Sequence, residues 1–137
     1  MEHIDHVGIA VRSLEDAVPL YRALLGEPPS GYETVSGEGV RVAFFGEGAG
    51  RVELLEPTGS DSPVGRFLER HGPGLHHMCL AVDDLDAALE RARAAGAEPL
   101  PPGIRSGAEA SRVAFLHPKS ARGVLLEIRE RAETTPP

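Results

Sequence analysis

Cysteine is nearly absent: Cys79 is the single one among 137 residues, so no intrachain disulfide can form and a thiolate-rich zinc module is excluded. Tryptophan is missing and aromatic residues make up only 4%, which leaves Val, Leu, Ala and Ile to build the core. Positive charge is also short, with 14 Lys and Arg against 21 Asp and Glu and a net charge of −7. That balance argues against a nucleic-acid partner, which requires a basic face to displace counterions from phosphates. An anionic small molecule stays open, provided a metal or a few Arg and Lys meet its charge locally. No apolar run approaches the ~20 residues needed to span a bilayer, so no membrane association is expected. The opening residues, Met1 to Asp5, have neither a basic nor an apolar segment, and a signal peptide is not expected there. Glycine is plentiful at 16 residues, yet none form a phosphate-binding loop. These absences describe a soluble, cytoplasmic protein.

What is present is an ordinary globular mixture, 41% hydrophobic and 26% charged, of a length suited to one domain. The chain also repeats itself. His6-Val7-Gly8-Ile9-Ala10-Val11 and the residues to Ala17 align without a gap on His77-Met78-Cys79-Leu80-Ala81-Val82 and the residues to Ala88. Helical apolar spacing follows in each copy, from Leu14 to Leu25 before Gly26 and from Leu85 to Ala95 before Gly96. Ser13 and Asp84 are suitable N-caps, and the glycines suit helix ends. Val40 to Phe45 then resembles Arg112 to Leu116, and Arg51 to Glu56 resembles Val124 to Ile128. The second copy carries three extra residues in the loop from His117 to Gly123.

Each copy therefore reads as strand, helix and three strands. The expected fold is α+β: two tandem βαβββ modules forming a curved, mostly antiparallel sheet shaped as a cup around a metal site. The expected boundaries are one domain over 1–132. Module one covers about 3–58, a connecting helix about 62–71 capped by Asp61 or Ser62, and module two about 74–131. A disordered tail is expected over 133–137.

The repeat singles out four residues in equivalent pairs. His6 and His77 open the first strand of each module; Glu53 and Glu127 lie on the last. Strand alternation puts His6 on one face with Gly8 and Ala10, and His77 with Cys79 and Ala81, which leaves open space beside each imidazole. Each glutamate sits in an apolar run, where a carboxylate is costly unless paired or metal-bound. Two imidazoles and two carboxylates carry charge that neutralises a divalent cation and leave about two positions open on an octahedral ion. Singly, each residue has a plainer reading, a rim histidine or a solvent-facing glutamate, and Glu53 alternating with Arg51 fits that view. His3, His71, His76 and His117 lack a repeat partner and read as surface or neighbouring residues, with His76 pointing away from the face of His77. Cys79 reads as a small buried residue. Lys119 and Arg122 read as anion contacts or solvated loop charges.

The repeated module with His and Glu at these places resembles the vicinal oxygen chelate superfamily from Ile4 to Glu130. Within it the chain most closely resembles the methylmalonyl-CoA epimerase family. The resemblance rests on His6-Val7-Gly8-Ile9-Ala10-Val11, Glu53-Leu54-Leu55-Glu56-Pro57, Asp61-Ser62-Pro63-Val64 and Gly74-Leu75-His76-His77. It continues in Val113-Ala114-Phe115-Leu116-His117-Pro118-Lys119-Ser120 and Gly123-Val124-Leu125-Leu126-Glu127. It implies metal ligands at His6, His77 and Glu127 with Glu53 as the fourth, and proton-transfer roles for Glu127 and Glu53. It also implies substrate contacts at Lys119 and Ser120, an acyl-CoA thioester substrate and a homodimer. The implied cofactor is a divalent ion, cobalt first, with zinc, manganese or nickel as alternatives.

The sequence departs from the family in two places. Some members carry a further carboxylate three residues after the glycine aligned with Gly39, where this chain has Val42, so Glu53 must take that role or Glu38 must reach in. The segment Gly107-Ala108-Glu109-Ala110-Ser111 is also less glycine-rich than is usual. Rival readings are a glyoxalase I-type lactoylglutathione lyase, an extradiol dioxygenase and a metal-free small-molecule binding protein of the same fold. Retention of both glutamates argues against the last two.

Overall fold

The computed structural model describes residues 2–131; the tail expected to be disordered lies outside the described residues. Eight strands and three helices follow the repeat. Module one comprises β1 (His3–Ala10), α1 (Leu14–Leu25), β2 (Gly31–Val35), β3 (Val40–Phe45) and β4 (Arg51–Pro57). After α2 (Pro63–His71), module two comprises β5 (Gly74–Val82), α3 (Leu85–Ala94), β6 (Arg105–Ser106), β7 (Arg112–Leu116) and β8 (Leu126–Glu130). All strands join one sheet in the order β2-β3-β4-β1-β5-β8-β7-β6. β1 pairs with β4, and β5 with β8, in parallel; every other pairing is antiparallel. The order reads the same outward from the β1–β5 junction in either direction, so the two modules are related by an approximate two-fold axis there.

Local chemistry explains the helix limits. Ser13 accepts a hydrogen bond from the Asp16 N–H and Asp84 one from the Ala87 N–H, each satisfying a donor at a helix start. The repeat extends to a second pair of helix contacts. Glu56, at the end of β4, accepts from the Leu14 N–H at 3.0 Å, and Glu130, at the end of β8, accepts from the Leu85 N–H at 2.9 Å. A carboxylate at a helix N-terminus also complements the helix dipole. α1 ends at Gly26, whose φ of 78° is left-handed.

α1 and α3 each cover the outer face of their own half. Leu14 of α1 packs with Ala43, Phe45 and Leu54; Leu85 and Leu89 of α3 pack with Ala114, Leu116 and Ile128. A third cluster, with Val64 and Leu68 of α2 against Ala10, Val42 and Leu55, closes one end of the concave face. The remaining concave space is a cavity of about 330 Å³. Among the described residues, no helix is long and apolar enough to cross a membrane.

Candidate metal centre

The register of the two central strands builds the site. β1 and β5 run antiparallel with His6 opposite Cys79 and Gly8 opposite His77. The parallel neighbours add Glu53 beside Gly8 and Glu127 beside Cys79. All four predicted residues are buried: His6 3% exposed, Glu53 3%, Glu127 6% and His77 9%.

Three of them converge. His6 Nε2 and His77 Nε2 are 3.1 Å apart, and Glu127 Oε1 lies 3.2 Å from the first and 3.1 Å from the second. Among the described residues, His6, His77 and Glu127 form a group whose donor atoms all lie within 4.8 Å of one another. Donors about 3 Å apart span one face of an octahedron around an ion with bonds of ~2.1 Å. Glu53 sits differently. Its Oε2 faces the other nitrogen of His6, Nδ1, at 3.1 Å, and receives Arg51 Nη2 at 3.5 Å. The repeat-equivalent position of Arg51 is Leu125, and among the described residues Glu127 forms ion pairs with the two imidazoles and with no arginine or lysine.

Strand alternation misplaces one residue. β1 and β5 each carry a bulge, at Asp5 and at His76, because the register skips these residues. A bulge turns its extra residue out of the alternating pattern. Asp5 and His76 are equivalent under the repeat and act alike. Asp5 Oδ2 accepts from His6 Nδ1 at 2.7 Å, and His76 Nδ1 meets His77 Nδ1 at 2.9 Å. The expectation that His76 points away from the site is therefore corrected: it lines the cavity and stacks edge-on against Phe67 at 5.0 Å between ring centres. The Asp5 carboxylate holds the Nδ1 proton on His6 and leaves Nε2 as the free donor, the arrangement metal-bound histidines use, while His76 occupies the corresponding place beside His77.

Burial and close charges shift the titration of these groups. Desolvation opposes a charged His6, but hydrogen bonds to Asp5, Cys79 and Glu127 and the charge of Glu53 raise it to about 12. Burial works against ionised Glu127, yet hydrogen bonds from His6 and His77 hold its carboxyl well below the usual range. Glu53 is pushed up to about 7 by burial, with His6 opposing and Glu127 reinforcing. Burial and the charge of His77 push His76 down to about 4, so it stays neutral at pH 7. Protonated, His6 supplies positive charge to the carboxylates around it. An ion on Nε2 must displace that proton, so metal uptake at pH 7.5 is expected to release at least one proton per ion. Calorimetric titration in buffers of differing ionisation enthalpy measures it; uptake without proton release would contradict this charge arrangement.

The cavity wall adds groups the repeat did not mark. Arg105 stacks over the Phe115 ring at 4.7 Å, and its Nε is buried without a hydrogen-bond partner. Arg66 and Arg129 also line the cavity, so an anion finds cations here despite the net charge of −7. Glu38 lines it from the turn Ser36–Glu38; burial and Glu127 raise its carboxyl to about 7, with Arg105 and His77 opposing. Ala108 and Ser111 of the glycine-poor segment form part of the wall, and Glu109 ties that segment to Arg51 at 2.8 Å. Lys119 and Ser120 do not line this cavity. They lie in a turn at Pro118–Ser120, where the Ser120 hydroxyl donates to the His117 carbonyl and accepts from the Glu98 N–H. Burial pushes the Cys79 thiol up to about 12, so it stays protonated.

Residues 5–115 match the Glyoxalase/Bleomycin resistance protein/Dioxygenase superfamily. This chain belongs to that superfamily. An ethylmalonyl-CoA/methylmalonyl-CoA epimerase of Cereibacter sphaeroides is 40% identical over 129 residues, covering 93% of this chain and 96% of the relative. A Streptomyces coelicolor methylmalonyl-CoA epimerase variant, solved with 2-nitronate-propionyl-CoA, superposes with a TM-score of 0.88 at 39% identity, covering 96% of this chain and 98% of the other. A methylmalonyl-CoA epimerase solved with methylmalonyl-CoA and NH4+ gives a TM-score of 0.90 at 38% identity, covering 100% and 99%. The eight-stranded curled sheet with three helices is the glyoxalase superfamily fold, as the repeat led one to expect.

Proposed function

We propose that this member of the glyoxalase superfamily is a metal-dependent epimerase that interconverts the C2 epimers of methylmalonyl-CoA. The observation that carries the reading is the convergence of His6, His77 and Glu127 within 3.2 Å of one another in the cavity wall. It is joined by the 38–40% identity to epimerases named for this substrate. His6, His77 and Glu127 would hold the ion, with Glu53, the fourth residue, as a second carboxylate that balances its charge. Bound there, a divalent ion supplies electrostatic stabilisation to the enolate oxygen.

The chain's own residues do the rest. Asp5 keeps the His6 imidazole in the donor tautomer, and His76 orients the His77 ring through its Nδ1. Glu127 turns Oε1 to both imidazoles, and the second oxygen of the same carboxylate is the one to receive the C2 proton. Arg66, Arg105 and Arg129 meet the carboxylate of the malonyl group or the thioester's phosphates. Val42, Leu55 and Phe115 exclude water from the reacting carbon. Lys119 and Ser120, outside the cavity, would contact substrate only along the CoA portion. A cytoplasmic homodimer completes the reading, supported by exposed Ile4 and Leu75 on the central strands.

The test follows inversion of one purified epimer by the protein as isolated, after chelation, and after return of cobalt, zinc, manganese or nickel. The expected result is loss on chelation and recovery with at least one ion. Inversion indifferent to chelation removes the metal from the reading. Absence of inversion with every ion, alongside turnover of a glutathione hemithioacetal, transfers the protein to the lyase reading.

A further inference from the structure

Inversion at a carbon needs a proton acceptor on one face and a proton donor on the other. Among the described residues, three carboxyl groups line the cavity: Glu38, Glu53 and Glu127. Glu127 is engaged with both imidazoles, and Glu53 with Arg51 and His6 Nδ1. Glu38 has no hydrogen bond or ion pair with any described residue, and its Oε1 is buried without a partner. A buried carboxyl oxygen left unmatched carries a desolvation cost, and such groups are rare away from functional sites.

Its backbone is held in place. Glu38 ends the turn that joins β2 to β3, and Gly39 follows it with a left-handed φ of 64°. The Gly39 carbonyl accepts from the Thr58 N–H at 2.9 Å. A Cβ on Gly39 would lie 2.8 Å from Ser62 Cβ, so the turn is packed tightly against the start of α2. The turn stands at the β2–β3 edge of module one, whereas Glu127 lies on β8 of module two, with β4, β1 and β5 between β3 and β8 in the sheet. The curl of the sheet brings both to the lining of one cavity, from opposite halves of the sheet.

We infer that Glu38 is the proton-transfer group for the C2 face opposite Glu127, an assignment that rests on the epimerase reading. In one direction Glu127 takes the C2 proton, the C–H electron pair passes into the enolate, and the protonated Glu38 delivers its proton to C2 from the other side. The reverse direction exchanges the two roles. No atom is gained or lost, and exchange with solvent resets both carboxyls. Burial near Glu127 keeps the Glu38 carboxyl close to neutrality, so both of its states are accessible. Glu53 then serves the ion and His6 rather than the substrate carbon.

The experiment compares wild-type protein with Glu38→Gln and Glu38→Asp, each metal-loaded, given each epimer separately in deuterated water. For Glu38→Gln, inversion is expected to fall at least about a hundredfold, the typical scale of a lost general acid or base. Deuterium exchange at C2 should persist from the epimer whose proton faces Glu127 and vanish from the other. Metal binding by calorimetry should remain as in wild type, and Glu38→Asp should give intermediate inversion. Inversion within a few-fold of wild type overturns the assignment, as does an equal loss of exchange from both epimers with metal binding intact. Should wild-type protein itself neither exchange nor invert, the epimerase reading falls and the role of Glu38 with it.

Discussion

Glu127→Gln is expected to lower inversion by roughly a thousandfold or more, because under the proposed function one change removes an anionic metal donor and the proton acceptor together. The amide keeps the shape of the side chain but cannot balance charge at the two imidazole Nε2 atoms 3.1 and 3.2 Å away. Metal affinity should fall at least about a hundredfold, since even the outer partners of a ligand are worth 10–100-fold. The same variant changes the acid limb of stability. The Glu127 carboxyl is depressed in the folded state, so its stabilisation is present above the ordinary value of 4.5 and is lost as pH falls through the lowered folded value. Thermal unfolding of the metal-free variant should therefore depend less on pH between neutrality and strong acid than that of wild type. A Glu127→Gln protein that keeps wild-type inversion would remove Glu127 from the chemistry.

The second large effect is expected from a glycine with no chemistry of its own. Gly8 lies opposite His77, and a Cβ built there would fall 2.2 Å from His77 Cε1 and 2.7 Å from Nε2. Nothing can sit that close, so Gly8→Ala must drive the imidazole out of its place against Glu127. Overpacking of this kind costs about 1–3 kcal/mol of stability. The larger loss is in metal affinity, expected at tenfold to a hundredfold or more, because a ligand loses both its position and its contact with His76. Calorimetric metal titration of Gly8→Ala measures it. Ala17→Gly, on the outer helix α1, is the matched control that should leave affinity unchanged. Unchanged metal affinity in Gly8→Ala would show that His77 is not held as the structure places it.

Much of this was legible in the chain because duplication writes the same physics twice. The repeat made His6 equivalent to His77 and Glu53 to Glu127, and capping chemistry bounded α1 between Ser13 and Gly26 as observed. Other features were illegible for identifiable reasons. His76 was misread because alternation assumes an unbroken strand, and one extra residue reverses the face it presents. The signal existed: Asp5 occupies the equivalent place in the first copy, immediately before its own histidine, although the two residue types share no likeness as letters. The divergence of Glu53 from Glu127 depends on Arg51 standing where the second copy has Leu125. Arg51 in turn is held by Asp5 and by Glu109, far away in sequence. Lys119 and Ser120 were drawn to the site by motif resemblance, whereas the structure spends the Ser120 hydroxyl on its own turn. Glu38 was visible only as a carboxylate near Val42; its unmatched oxygen is a property of the folded wall.

Under the proposed function, this cavity moves a proton at the carbon between a thioester and a carboxylate, using groups assembled around one ion. Solvent deuterium incorporation tests it most directly. Metal-loaded protein and one epimer of methylmalonyl-CoA are mixed in deuterated water and C2 is followed by mass and NMR. The inverted product is expected to carry solvent deuterium at C2, and chelation to abolish incorporation and inversion together. Inverted product that retains its original hydrogen, or no incorporation with any divalent ion, would contradict it.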